Sequence, residues 1–232
     1  MGMNNIDFEN YRSRVSKLAE SFSWLSKLES PVENFGGVET TRMYQKRHES
    51  GFYWRFCRPV HPETNLALGL EIGGMPDPLF LPDYPNCFTF RWEYDKLGDG
   101  SKLEGIPDEG FDYVYSSHCG EHVPDYRVAV SNWMRVVKPK GHLIIVLPSY
   151  FLYERSTKLP SRYNLSHLRF FSQFQRIYPD VYSVYDETKA GLKDIKHEFV
   201  FMNEEADGNT NWDKPFDHGN GAYNLVTVVK KL

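Results

Sequence analysis

The sequence predicts an α/β protein on a doubly wound, mostly parallel sheet, and three stretches carry that expectation. The first, Gly110–Ser149, alternates strand, helix and strand. Phe111–Ser116 is a short apolar and aromatic run. Pro124 and Asp125 then open a segment in which Val128, Val130, Trp133, Met134 and Val137 recur at near-helical spacing, and Pro139 and Gly141 stop it. Leu143–Leu147 is wholly aliphatic and rich in β-branched residues, the composition of a strand covered by helices on both faces. The second stretch, Leu66–Ile72, is another strand pattern that runs directly into Gly73 and Gly74. The third, Cys87–Trp92, is a strand rich in aromatic residues and Thr. Parallel strands joined by a helix form a right-handed crossover. Ligands of such open sheets bind beyond the carboxyl ends of the strands, which is where Ser116–Val123 falls.

The remaining chain divides into a helical N-terminal extension over residues 1–62 and an α/β domain over residues 63–232. Ile6–Leu28 reads as one amphipathic helix, because Phe8, Tyr11, Val15, Leu18, Phe22, Leu25 and Leu28 form a stripe at spacings of three and four. Thr40–Ser50 suggests a second short helix. Phe52–Cys57 reads as an edge strand or a buried plug, ahead of a lid that touches substrate. Tyr150–Tyr163 has the mixture of aromatics, prolines and basic residues expected of a loop covering a site. Leu165–Pro179 reads as a helix with Leu168, Phe171, Phe174 and Ile177 buried. His197–Asn203 and Asn224–Lys231 are closing strands, joined by a polar, Gly-rich connection from Glu204 to Tyr223.

Composition narrows the classes of function. A net charge of -4 with both signs dispersed gives no basic footprint for nucleic acid. Cys57, Cys87 and Cys119 are odd in number and form no CxxC, so neither a disulfide framework nor a cysteine zinc site is indicated. With no run of roughly 18 apolar residues and no signal-type N-terminus, the expectation is a soluble, cytoplasmic protein that does not span a membrane. The sequence leaves the oligomeric state open.

The succession LGLEIGG, IPDEGFDYVYSSHCGEHVPD, a helix, and VVKPKGHLIIVLPS resembles the class I S-adenosylmethionine-dependent methyltransferases, over about Leu66–Ser149. It is most similar to the small-molecule branch whose members carry LEIGxG and SSHxLEHxPD. The resemblance implies a Rossmann-like fold with an antiparallel closing strand, S-adenosylmethionine as cofactor, and a small-molecule acceptor that is a sugar or phosphorylated, such as a nucleotide-sugar or glycan precursor. It implies methyl transfer to a hydroxyl ahead of an amine. Matched by position, Glu71, Gly73 and Gly74 would cradle the methionine end of the cofactor. Asp99, Gly100, Ser101, Lys102 and Leu103 would hold adenine, Glu93 ahead of Asp95 would be the ribose acid, and Ser117 and His118 would line the floor beneath the sulfonium. Two departures stand out. Met75 and Pro76 occupy positions where further glycines are usual, and Trp92–Phe111 is too short for the usual second helix and third strand, so the sheet either lacks that edge strand or is rebuilt there.

Methyl transfer needs no obligatory metal, but an oxygen acceptor must lose its proton, and histidine is the most available base. His118, at the strand end, is the first candidate. His122 is the second, beside a structural reading in which it fixes the turn. Glu121 is the group that could orient an imidazole, and His167 could approach from the cover region. The basic residues Arg155, Lys158, Arg162 and Arg169 would suit a phosphorylated acceptor. Three alternatives remain open. A methyltransferase-like scaffold would have lost the cofactor; His118-Cys119-Gly120-Glu121-His122 also spells the HxxEH motif of a zinc hydrolase, which requires a helix; and related proteins with an acidic version of this loop imply a divalent ion on His118, Glu121 and His122.

Overall fold

The computed structural model describes residues 8–28, 47, 49–73, 79, 81, 84, 86–206 and 223–232. In chain order the elements are α1 Phe8–Ser21, α2 Phe52–Phe56, β1 Ala67–Gly73, β2 Cys87–Trp92, α3 Tyr94–Leu97, β3 Phe111–Ser117, α4 Tyr126–Arg135, β4 Val137–Pro148, β5 Phe170–Ser172, β6 Val181–Ser183, α5 Val184–Gly191, β7 His197–Ala206 and β8 Tyr223–Lys231. Six strands form one sheet in the order β2-β1-β3-β4-β8-β7, while β5 and β6 pair separately. The pairs β1–β2, β1–β3 and β3–β4 are parallel, and β8 runs antiparallel to both β4 and β7. A mostly parallel Rossmann-like sheet with one antiparallel closing strand is therefore the architecture. Among the described residues no strand pairs beyond β2, and those between β2 and β3 supply only the single turn α3 and loops.

Alternation along the central strands explains why they lie inside. Leu68, Leu70, Ile72, Val114, Leu143, Ile145 and Leu147 face one apolar layer with Ala129, Val130, Trp133 and Met134 of α4 and Val15 of α1. Ala67, Tyr113, Tyr115, Ile144 and Val146 face the other, against Phe52, Tyr53 and Phe56 of α2. Both periods of the strand are thus apolar, which is why Leu143–Leu147 reads as a continuous run. The N-terminal segment joins these same two layers. Phe52–Cys57 is a buried plug and not an edge strand: three of its aromatic side chains are buried on a short helix, and Trp54 alone of the four is exposed.

Other expectations are corrected. The N-terminal helix stops at Ser21, and a separate turn of 3-10 helix, Leu25–Lys27, then brings Leu25 and Leu28 to the core while Phe22 stays exposed. Helix α4 ends at Arg135, before Pro139, and β4 starts at Val137; its register shift against β3 and exposed Pro139 and Lys140 mark a bulge, which tolerates a proline without a ladder donor. Leu165–Pro179 is no helix. Only Phe171 of its predicted buried stripe is in the core, on β5, whereas Leu168 and Phe174 are 45% and 58% exposed. The Thr40–Ser50 helix and the Glu204–Tyr223 connection fall largely outside the described residues. All three cysteines are free thiols, and no helix among the described residues is long and apolar enough to cross a membrane.

Beneath the sheet, the Tyr113 ring lies flat over Gly69, and its hydroxyl meets Thr89 Oγ1 at 2.6 Å and Cys87 Sγ at 3.1 Å. A Cβ on Gly69 would sit 2.1 Å from that ring. Gly69→Ala should therefore cost about 1–3 kcal/mol through overpacking, read as a lower denaturation midpoint at unchanged m-value. Nearby, burial and the charges of Arg58 and Lys230 hold the His142 imidazole down to about 4, against an ordinary value of 6.5. A depressed histidine stabilises the fold fully above its unfolded value and loses that contribution as pH falls through the folded one. Thermal stability should accordingly drop between pH 6.5 and 4, and His142→Gln should flatten that part of the pH profile.

Candidate active site

The carboxyl ends of β1 and β3 lie side by side, with Gly73 opposite Ser117 in the register. Gly73 has φ +84°, and a Cβ there would come within 3.0 Å of the Ser117 carbonyl and 3.2 Å of Cys119 Cβ. Glycine is needed for both reasons, and the result is bare main chain at the mouth of the crevice. Gly74 lies outside the described residues. Glu71 is buried in the middle of β1 and accepts a hydrogen bond from the Leu79 amide at 2.8 Å, so it ties the chain beyond the glycines back to the strand.

On the opposite wall, residues 99–103 form a compact loop fastened to α4. Trp133 Nε1 donates to the Gly100 carbonyl at 2.9 Å, Asn132 Nδ2 to the Ser101 carbonyl at 3.0 Å, and Arg135 to the carbonyls of Leu103 and Ile106. Asp99 Oδ1 accepts from the Ser101 amide at 2.9 Å, and hydrogen bonds from Ser101 hold its carboxyl below the usual range. Leu103 is fully buried at φ +50°, a conformation that costs a non-glycine residue about 1 kcal/mol or more and persists only where surroundings fix it. Gly100 packs closely on Ile72 and Trp92. These contacts bring Asp99, Gly100, Ser101 and Leu103 together beside the ends of β1 and β2. Glu93, next along from β2, is engaged in an ion pair with Arg91.

The loop after β3 holds the ionisable groups. His118 has φ +49°; its amide still donates to the Val146 carbonyl at 2.9 Å, so the residue turns out of the sheet at the last ladder position. Its side chain is 41% exposed, and Nε2 lies 3.0 Å from Asn224 Oδ1 at the start of β8. Gly120 then lets the loop press onto Leu147 and Tyr126, where a Cβ would approach to 2.8 Å. That contact drives Glu121 inward, 1% exposed. Its Oε1 lies 3.7 Å from His118 Nδ1, 3.6 Å from His122 Nε2 and 3.9 Å from His167 Nε2. These separations exceed hydrogen-bond length. Burial pushes the Glu121 carboxyl up to about 8 and lowers His122 below its ordinary value. Asp125 closes the loop by accepting from the Arg127 and Val128 amides as the N-cap of α4.

The residues His118 to Val123 are loop, not helix, so the HxxEH arrangement of a zinc hydrolase is not formed. Segment 150–168 folds back onto this loop: Leu168 donates its amide to the Glu121 carbonyl at 2.9 Å, and His167 stands 4.8 Å from His122 between ring centroids. Three of the four basic residues proposed for an acceptor phosphate already donate to main-chain carbonyls, Arg155 to Phe151, Arg162 to Glu154 and Arg169 to Pro124. Asn224 and Ser166 were not foreseen, since neither belongs to a motif and each reaches the site only through tertiary folding.

Residues 91–145 match the family model described as a methyltransferase domain. A probable chloroplastic tocopherol O-methyltransferase of Oryza sativa subsp. japonica is 27% identical over 146 residues, 60% of this chain but only 36% of its own length. Among solved structures, a SAM dependent methyltransferase from Archaeoglobus fulgidus superposes at TM-score 0.48 with 18% identity, covering 84% of this chain and 95% of that one. The Burkholderia thailandensis 1,6-didemethyltoxoflavin-N1-methyltransferase, solved with its bound substrate and S-adenosylhomocysteine, gives 0.39 with 15% identity, covering 84% and 87%.

If α4 fixes the 99–103 loop, Trp133→Phe should release the Gly100 carbonyl at a cost of about 1 kcal/mol. Hydrogen exchange should show faster amide exchange in that loop than in β1.

Proposed function

We propose that the chain, whose residues 91–145 match a methyltransferase domain model, is a class I S-adenosylmethionine-dependent methyltransferase that transfers a methyl group to a hydroxyl, ahead of an amine, of a small polar molecule. A sugar, nucleotide-sugar or glycan precursor is the acceptor class this reading favours. The observation that carries the proposal is the pairing of bare main chain at Gly73 with a half-exposed imidazole at His118, on adjacent strand ends of one crevice.

The residues present fit the cofactor. Glu71 and Gly73 would support its methionine end where no Cβ stands in the way, and the preformed loop of Asp99, Gly100, Ser101 and Leu103 would receive adenine, with the Asp99 carboxylate as acceptor. Ser117 and His118 would form the floor. Glu93 could serve ribose only by exchanging its partner Arg91. S-adenosylmethionine, when bound, supplies a methyl group already activated by its sulfonium, so the protein's work is to position the acceptor and exclude water.

The proton is the chain's own task. With Asn224 Oδ1 accepting from His118 Nε2–H, the basic lone pair of His118 lies on Nδ1. That atom would take the acceptor proton, and Asn224 would hold the ring in the required tautomer. Glu121, whose Oε1 lies 3.7 Å from that nitrogen, would orient the ring. His122, whose Nδ1 faces Ser166, is the less available base. Arg155, Arg162 and Arg169 are already engaged with main-chain carbonyls, so the exposed Lys158 would be the cationic partner for a phosphorylated acceptor.

The test is methyl transfer from labelled S-adenosylmethionine to a panel of hydroxylated small molecules, sugar nucleotides and phosphorylated sugars, with product mass spectrometry. His118→Ala should lower turnover about 10²–10⁴-fold, far more than it lowers product-cofactor affinity. Equal turnover would remove His118 from the role of base.

A further inference from the structure

We propose that Glu121, His122 and His167 bind one divalent transition-metal cation of the zinc class, at a site that shares Glu121 with the methyl-transfer reading but whose metal binding needs no cofactor. One donor atom from each residue lies within 4.8 Å of the other two. Tetrahedral zinc with bonds of about 2.0–2.2 Å places its donors about 3.4 Å apart. Glu121 Oε1 already stands 3.6 Å from His122 Nε2 and 3.9 Å from His167 Nε2. The donors of His122 and His167 lie within 4.8 Å of one another, so metal binding would draw all three together.

The carboxylate points to a cation most directly. Glu121 is 1% exposed, and neither of its oxygens has a hydrogen-bond partner among the described residues. A buried carboxylate in that state is costly unless a proton or a metal satisfies it. The imidazole of His122 is set up to complement it. Its Nδ1 faces the Ser166 carbonyl at 3.2 Å and the Ser166 Oγ at 3.0 Å; with that hydroxyl donating to Asn164 Oδ1 at 2.7 Å, both oxygens accept from Nδ1–H, and Nε2 turns its lone pair towards Glu121. A lone pair facing a carboxylate oxygen is repulsive unless a positive centre lies between them. Donation of the distal ring N–H to a main-chain carbonyl is also the usual way a metal-ligating histidine is oriented.

The scaffold behind His167 is rigid. Ser161 Oγ accepts from the amides of Tyr163 and Asn164, Glu154 is buried and accepts from Ser161 and the Arg162 amide, and the His167 amide donates to the Asn164 carbonyl. Leu168, bonded to the Glu121 carbonyl, locks this turn to the loop after β3. Two imidazoles with one carboxylate suit zinc, cobalt or nickel better than magnesium or calcium, which prefer all-oxygen sets. Three protein donors leave one position for water or another oxygen ligand, and the 31% exposed side chain of His122 marks the way in. His118 is not one of the three; the geometry replaces it with His167 from the returning segment.

The experiment uses the full chain, stripped with a chelator and assayed without cofactor. Calorimetric titration with Zn²⁺ should give one saturable site, and Co²⁺ should develop a d–d absorption of tetrahedral intensity. Glu121→Gln and His167→Gln, each checked for a native near-ultraviolet circular dichroism spectrum, should weaken Zn²⁺ binding by about 10-fold or more. His61→Gln, which alters an exposed histidine beside Glu63, should leave it unchanged. A native chain with no saturable Zn²⁺ site overturns the proposal, as does binding that survives in both folded site variants or falls with His61→Gln. Failure of S-adenosylhomocysteine to bind would bear only on the methyltransferase reading.

Discussion

The constraint on which the rest depends is the burial of β1, β3 and β4 on both faces. Strands buried on both faces by mainly apolar residues leave little room for a polar ligand along their length, so function is displaced to the loops beyond their ends. Here the displaced groups are concentrated: bare main chain at Gly73, a left-handed His118, and a loop that Gly120 presses against the sheet. Glu121 is buried as a consequence of that pressing, because the loop has nowhere else to put its side chain. Packing therefore creates the electrostatic situation of the site.

The sheet is short on one side, and this has a structural counterpart. With no strand beyond β2 among the described residues, the 98–103 loop is held from two sides: Trp92 of β2 donates to the Gly98 carbonyl, and α4 donates to the loop main chain through Trp133, Asn132 and Arg135. The helix that completes the crossover thus also shapes the wall of the crevice. On the other side, the 150–168 segment is pinned to the loop after β3 by the Leu168 amide, which brings His167 beside residues far away in sequence.

Much of this was legible in the sequence where one physical signal dominated. Leu143–Leu147 could be read as a buried strand because a continuous aliphatic run of that length has few other uses, Leu66–Ile72 because a largely apolar run empties into glycines, and the motif positions in between placed His118 at a strand end. The helix read into Leu165–Pro179 failed for a definable reason. Its aromatic residues recur at helical spacing, yet Leu168 and Phe174 are exposed and only Phe171 reaches the core, on a short strand. The bulge at Lys138–Gly141 was hidden because proline and glycine also end helices. Glu93 was readable as an acid after β2 but its partner Arg91, two residues back on the same strand, could equally have been noticed. Asn224 could not: it meets His118 only because β8 inserts antiparallel between β4 and β7.

The crevice formed by Gly73, His118 and the 99–103 loop is the site proposed here to bind S-adenosylmethionine. Calorimetric titration of the purified chain with S-adenosylhomocysteine tests it most directly. The account predicts saturable one-to-one binding that Gly73→Val weakens strongly, since a side chain at φ +84° would be strained and would meet Ser117 and Cys119. Absence of binding at high micromolar ligand to a folded protein would contradict it.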